Sequence, residues 1–341
     1  NGVKKNANNS NLEYVVGGFR LLRHVGMSFG IIPFTNVGYD YSTSGYVNKE
    51  DKDVTYSNTY SGDGGLHQVY LGAGWSPVKG LAVGANISYL WGSINKTVQN
   101  AYSNSYYKSL YRTYGTSVHN YKLDLGIQYT QKISKKDELT LGLTYTPGHN
   151  LHADADMSII SSNAQTSTSD TLAFSINNAY ELPTMMGAGL MWNHNQQWKV
   201  GFDYTLQKWG SLGYPTYDAK NNEPWALRDG VYMDRSKFNL GFQYCYAENG
   251  RASFLKRVHY RAGVSYATPY YKVNGVDGPK EISVSAGFGI PIMNGYNNRS
   301  QLNISGQWVK SSAKDLIKEN SFRINIGFTF NEDWFKKWKM Q

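Results

Sequence analysis

Strict alternation over segments of about ten residues limits what this chain can become more than any other feature. In 320–330, Phe322, Ile324, Ile326, Phe328 and Phe330 project to one side, and Ser321, Arg323, Asn325, Gly327 and Thr329 to the other. Ile282, Val284, Ala286, Phe288 and Ile290 oppose Ser283, Ser285, Gly287 and Gly289 in the same way. So do Trp198, Val200, Phe202, Tyr204 and Leu206 against Lys199, Gly201, Asp203, Thr205 and Gln207. The period is two, that of a strand, not the 3.6 of a helix. No apolar stretch approaches the ~18 residues of a spanning helix, but a spanning strand shows lipid only every second residue.

A soluble sandwich also alternates, and three features argue against one. The segments run to about 10 residues, where globular strands usually have about 5–6. Tyr and Trp sit near the ends of the apolar rows (Trp75, Trp91, Trp192, Trp198, Trp308), as in the girdles of membrane barrels. The polar rows hold mainly Gly, Ser, Thr, Asn and Gln, which suits a lumen. Composition agrees: 35 Gly, 28 Tyr and only 17% charged residues in a chain of 341, against about a quarter charged in soluble domains. The expected fold class is all-β, a transmembrane antiparallel β-barrel of the bacterial outer membrane.

Strands are expected near 12–22, 25–41, 65–76, 81–93, 117–133, 139–147, 180–192, 197–207, 234–246, 258–268, 280–290, 300–310 and 320–330. Short turns follow the first, third, fifth and seventh; long polar loops at 42–64, 94–116, 148–179 and 208–233 follow the even-numbered ones. Short turns face the periplasm and long loops the outside. Single-chain barrels close on an even number of strands. Thirteen therefore points to about 14 strands, with the first strand missing from this sequence; a miscounted strand is the alternative. The barrel is expected over 1–330. Residues 331–341, NEDWFKKWKMQ, read as a basic-aromatic periplasmic tail suited to the membrane interface or to a partner.

The formal charge of +9 is scattered and forms no basic stripe, so nucleic acid is not an expected partner. A single cysteine, Cys245, excludes an internal disulfide framework. There is no Gly-x-Ser-x-Gly, no P-loop and no dinucleotide fingerprint, and no histidine pairs with a Ser or Asp in a recognisable motif. An enzyme is not expected, nor a cofactor. His149, His152, Asp154 and Asp156 alone have metal-like composition; they fall in a polar loop, and no metal site is expected.

Two groups of residues carry the site expectations. In 25–41 the outward row Val25, Met27, Phe29, Ile31 is regular until Pro33, which has no N–H for the ladder, while Gly30 and Gly38 permit a bend. The segment is either an ordinary bulge or a break in the wall. The inward rows carry Lys122, Asp124, Lys199, Asp203, His259, Arg261 and Arg323. They form either a self-neutralising lumen network or a site where Arg261 or Arg323 meets a ligand carboxylate.

Four stretches resemble a known family: MSFGIIPFTNVGYDY (27–41), ELPTMMGAGLMWNHNQQWKVGFDYTLQKWG (181–210), LKRVHYRAGVSYATPYYKVNG (255–275) and EISVSAGFGIPI (281–292). Together they resemble the FadL/TodX-type outer-membrane transport proteins in their Bacteroidetes form. The resemblance implies a fourteen-stranded barrel with an N-terminal hatch, and this sequence departs from it at its start, where the hatch and the first strand are expected to be missing. It also implies a hydrophobic small-molecule ligand, a long-chain fatty acid or hydrocarbon, released sideways into the membrane where an early strand kinks. Carried onto this chain, Gly30, Pro33, Phe34 and Gly38 become the lateral gate. The expected function is passive uptake of small hydrophobic molecules, in contact with outer-membrane lipid and lipopolysaccharide. The alternative is an accessory barrel subunit of a larger outer-membrane complex, with other outer-membrane or periplasmic proteins as partners. An apolar pocket at the outer mouth would favour the first; a filled lumen and a flat or apolar outer patch would favour the second.

Overall fold

The structure is a computed structural model and describes residues 12–330 except 49, 51, 248–251, 274, 295–296 and 314–317. The expected residues 1–11 and the tail 331–341 lie outside the described residues.

In chain order, the first four strands are β1 (Val15–Leu22), β2 (Val25–Tyr46), β3 (Thr55–Val78) and β4 (Leu81–Tyr102). Next come β5 (Ser109–Lys132), β6 (Asp137–Thr146), β7 (His149–Asn150), β8 (Ala155–Asn163), β9 (Thr168–Ile176) and β10 (Glu181–Leu182). The middle holds β11 (Met185–His194), β12 (Trp198–Gln207), β13 (Tyr214–Tyr217), β14 (Trp225–Arg228), β15 (Arg235–Tyr244) and β16 (His259–Ala267). The chain finishes with β17 (Lys272–Val273), β18 (Val276–Asp277), β19 (Lys280–Asn294), β20 (Asn297–Ser312) and β21 (Glu319–Thr329). The main sheet has 15 strands: a path β1-β2-β3-β4-β5-β6-β11-β12-β15-β16-β19-β20-β21, with β8 and β9 off it beyond the upper half of β5. Every pairing in it is antiparallel, and β1 and β21 have one partner each among the described residues. The path has the thirteen strands that the alternation requires.

Cross-strand register turns the alternation into a surface. Leu141, Leu190, Phe202, Leu240, Val264, Val284, Trp308 and Phe322 stand opposite one another, strand to strand, in one outward row. Their exposure is high, 52% for Leu240 and 71% for Phe322. An apolar band of this extent is stable only where lipid replaces water. This is an outer-membrane barrel sheet.

The loops depart from expectation. Most of 42–64 and 94–116 is strand: β2, β3, β4 and β5 run 22, 24, 22 and 24 residues, about twice a membrane crossing. Their upper halves form a wall that β8 and β9 extend to six strands. Short apolar rows had marked where lipid contact ends, and the ladder continues without them because Ser, Thr and Tyr alternate as well as Leu and Val do. On the other side, the β15–β16 connection carries a one-turn helix, α1 (Phe254–Arg257).

The wall has two different faces. Tyr39, Gly62, Lys96, Tyr114, Met157 and Phe174 form one row, and Tyr41, Tyr60, Val98, Arg112, Ile159 and Leu172 the next. These bulky rows lie on the mouth side. On the opposite face the rows read Asp40, Ser61, Thr97, Thr113, Ser158, Ala173 and Ser42, Thr59, Gln99, Tyr111, Ile160, Thr171. Glycine permits the close approach at the wall's base. Gly64 and Gly92 have φ of 104° and 143°, and a Cβ on either would overlap a carbonyl oxygen across the β3–β4 pair, that of Ser93 or Gly65.

Candidate functional site

Aromatic side chains from the loops pack together across the mouth of the barrel. The β13–β14 hairpin crosses it, with Trp225 against Tyr114 (5.8 Å between rings) and Tyr217 against Phe174 (6.0 Å), both on the wall. The Trp225 indole N–H donates to the Ala155 carbonyl at 2.9 Å, so the ring's polar end is satisfied as well. On the other side, Tyr232 packs on Tyr214 edge-to-face at 5.3 Å and on Trp209 at 5.3 Å, and Trp209 reaches Tyr270 at 5.5 Å. Burial drives the Tyr232 and Tyr180 phenols well above their usual value, with Tyr214 adding to the effect, so both stay neutral donors. This lid joins the wall to the β16–β19 connection.

Below it lies a dry cluster. Leu66, Leu90, Val118, Leu151, Ala153 and Leu182 are buried together, with Phe34, Ile94, Tyr180 and Met185 packed around them; Leu90 is fully enclosed. The segment between β6 and β11 supplies three of these residues, Leu151, Ala153 and Leu182. β7 pairs with β10, and backbone bonds Leu151 N–H to Tyr180 O (2.9 Å) and Ala179 N–H to Ala153 O (2.8 Å) carry the ladder upward.

The four residues of the expected gate sit around a one-residue bulge. Pro33 faces His67, Thr35 faces Leu66, and Phe34 is the extra residue between them. β2–β3 pairing continues on both sides, and Phe34 turns toward the buried cluster. Pairing with β1 stops at Ile31, so the β2 edge from Ile32 upward has no strand partner on that side among the described residues. Gly30 is held tightly between Val15, Val16 and Tyr70, whereas Gly38 lies beyond the bulge in open space.

The seven lumen residues separate into two places. Lys122 and Asp124 form an ion pair on β5, and Asp124 also accepts from Thr146 Oγ1 at 2.6 Å. Across the barrel, Arg261 donates to three neutral oxygens: Gln243 Oε1 (2.9 Å), Asn303 Oδ1 (2.6 Å) and Gln301 Oε1 (3.1 Å). His259 lies 3.2 Å from Gln243 Nε2. Lys199, Asp203 and Arg323 form no ion pair among the described residues and line a polar cavity of about 600 Å³ with Arg261. Sequence reasoning missed Lys237 and Glu281 there, although both fall on inward positions of the same alternation.

The metal-like cluster is dispersed. His149 stacks on Tyr121 (4.4 Å), His152 meets Asn178 Oδ1 (3.2 Å), Asp154 caps the Asn178 N–H (2.9 Å), and Asp156 stands on the outer face of the wall. A second hollow, of about 590 Å³, lies at this part of the wall, lined by Asn95, Thr113, Gly115, Asp156, Ser158 and Ala173 among others.

At the rim, Lys208 Nζ binds Asp234 Oδ2 at 2.7 Å, and Gly210 N–H binds its other oxygen at 2.9 Å. The Lys208 bond first, then the Gly210 bond, hold the Asp234 carboxyl below its usual 3.8. A carboxyl depressed on folding stabilises fully above its unfolded value and loses that contribution as pH falls through the folded one. The lid loop 208–234 is therefore expected to become more sensitive to pepsin below 3.8. Asp234→Asn should show that sensitivity less steeply with pH, by limited proteolysis across the range.

The barrel resembles solved outer-membrane channels. The CymD monoaromatic hydrocarbon channel matches with a TM-score of 0.56 at 15% identity, over 88% of this chain and 77% of that one. The toluene transporter TodX of P. putida matches at 0.52 and 13% identity, over 84% and 73%. A FadL homologue of Pseudomonas aeruginosa matches at 0.52 and 11%, over 85% and 70%. At these identities the likeness is one of fold. No curated protein matches. A family model described as BamG matches residues 1–341. The FadL/TodX resemblance thus holds for the barrel's architecture, while the whole length of the chain belongs to the BamG family.

Proposed function

We propose that this protein is an accessory barrel subunit of a larger outer-membrane assembly. The observation that carries the reading is the filled mouth: the β13–β14 lid and the cluster around Leu90 occupy the space where a ligand would enter. A cavity of about 600 Å³ inside the barrel is lined with charge and amides, a poor solvent for a hydrocarbon. The wall above the membrane supports the same reading, since six paired strands make a rigid platform that a lipid-embedded channel does not need.

Passive uptake of small hydrophobic molecules is the second reading. It is favoured by the β2 edge left unpaired above Ile31, beside the bulge at Phe34, together with the hydrocarbon and toluene transport named for the proteins of similar fold. On this reading Gly30, Pro33, Phe34 and Gly38 shape a side exit.

One purification separates the two. The tagged protein is extracted from its native membrane in mild detergent, beside an unrelated barrel, and both proteins and lipids are quantified by mass spectrometry. The accessory role predicts other envelope proteins in fixed ratio. A lone barrel enriched in one fatty acid or hydrocarbon would overturn it and establish uptake.

A further inference from the structure

The outer face of the six-stranded wall carries a chemistry of its own. Its rows hold Ser, Thr, Asn, Gly and Ala at most positions, with Gln99, Tyr111 and Ile160 the bulkier exceptions in one row, so most of its side chains are short. In a chain of net charge +9, the outward positions of this face contain no Lys or Arg and three carboxylates, Asp40, Asp63 and Asp156. The mouth-side rows show the contrast: they place Lys96 and Arg112 there with the tyrosines, and the lid covers them in part. The lid's ring contacts with Tyr114 and Phe174 are on the mouth side, so the two faces are physically distinct. The hollow of about 590 Å³ is lined by Asn95, Thr113, Asp156 and Ser158 of the outer face and also by Tyr114, Met157 and Phe174 of the mouth-side row.

We infer that this face is a docking surface for a folded protein of another chain, one that presents a flat patch bearing Lys or Arg. The inference rests on the accessory-subunit reading and gives it a place and a chemistry. Six strands about 4.8 Å apart, taken over ~20 Å of height, offer roughly 600 Å², close to the ≈ 800 Å² per partner of a standard interface. Short side chains lose little rotamer entropy when covered, which favours binding by shape. The three carboxylates then select the sign of the partner. A second copy of this chain fits poorly, because face-to-face packing would oppose Asp with Asp. Phosphate-bearing lipid fits poorly for the same reason, with no cation on the face to receive it.

Thr97 lies on the central strand β4 and tests the surface directly. Thr97→Arg and the triple variant Asp40→Asn, Asp63→Asn, Asp156→Asn are expressed in the native host as full-length protein. Folding is checked by the heat-dependent gel mobility of barrels, and co-purified proteins are quantified. The expected result is at least a ten-fold loss of one envelope protein with Thr97→Arg. The triple variant should bind less and lose the salt dependence shown by the wild type. Partners retained at wild-type ratio by both folded variants would overturn the surface and leave the accessory reading standing. A wild-type protein that purifies without partners would overturn both. Cross-linked self-dimers or bound polysaccharide in place of a protein would overturn the assigned occupant.

Discussion

Replacing residues 212–230 with a short Gly-Ser linker is expected to turn a silent barrel into a conducting one. The segment contains β13 and β14, hence Tyr214, Tyr217 and Trp225, the ring contacts that span the mouth. Its removal leaves the thirteen-strand path intact, because no barrel strand pairs with the hairpin. Below the lid lies the polar cavity of about 600 Å³, so water and ions have a solvent once the mouth opens. In planar bilayers the wild-type protein should show little conductance and the lid-less variant at least an order of magnitude more. Trp225→Ala should give a partial version, since it removes both the packing on Tyr114 and the bond to the Ala155 carbonyl. Equal conductance of wild type and lid-less variant would show that the lid does not seal the barrel.

The second large effect concerns the lipid face. Leu240 and Asn239 are neighbours in β15 whose side chains point to opposite sides. Leu240 lies midway along β15 in the apolar outward row Leu190, Phe202, Leu240, Val264 and is 52% exposed. Leu240→Arg should lower the unfolding free energy by about 2–4 kcal/mol, the cost of a guanidinium near the bilayer midplane. Asn239→Arg faces the polar cavity and should cost far less. Denaturant titrations of the two variants in the same lipid, read by tryptophan fluorescence, check the difference. A penalty of the same size for both would contradict the assignment of faces.

Packing beneath the lid gives a smaller expectation. Leu90→Ala leaves a cavity in a fully enclosed site and should cost about 2–5 kcal/mol. The same titration reads it, and a loss below that range would mean that the cluster collapses around the gap.

What the sequence made legible was set by where lipid writes a pattern. Strands such as Glu319–Thr329 and Trp198–Gln207 announce themselves because Phe322–Phe328 and Trp198–Leu206 must alternate with polar residues. Above the membrane that requirement ends. The stretch Thr55–Ser61 reads as polar loop, although it pairs residue for residue with 40–46, and its residues 56–61 with 97–102. Its signal was present in Tyr56 and Tyr60 on one face and Ser57, Thr59 and Ser61 on the other, an alternation of size rather than of polarity. The bulge at Phe34 was legible from Pro33, but its inward packing depends on Leu66, Leu90 and Leu182, distant in sequence. The lid was not legible, because Tyr214 and Tyr232 of the β12–β15 connection meet Tyr270 of the β16–β19 connection only after both have folded. Lumen charges were found on the correct face, yet their division between the Lys122–Asp124 pair and the Arg261 cavity follows from strand order around the barrel, which no local pattern carries.

Site-specific photocrosslinking in living cells tests the central claim most directly. A photoreactive side chain is placed at Thr97 on the outer face of the wall and, in a second strain, at Leu71 in the lipid-facing band. The accessory-subunit account predicts a discrete, heavier protein adduct from Thr97 that is absent from Leu71. A correctly folded barrel at normal abundance that gives no protein adduct from the wall would contradict it.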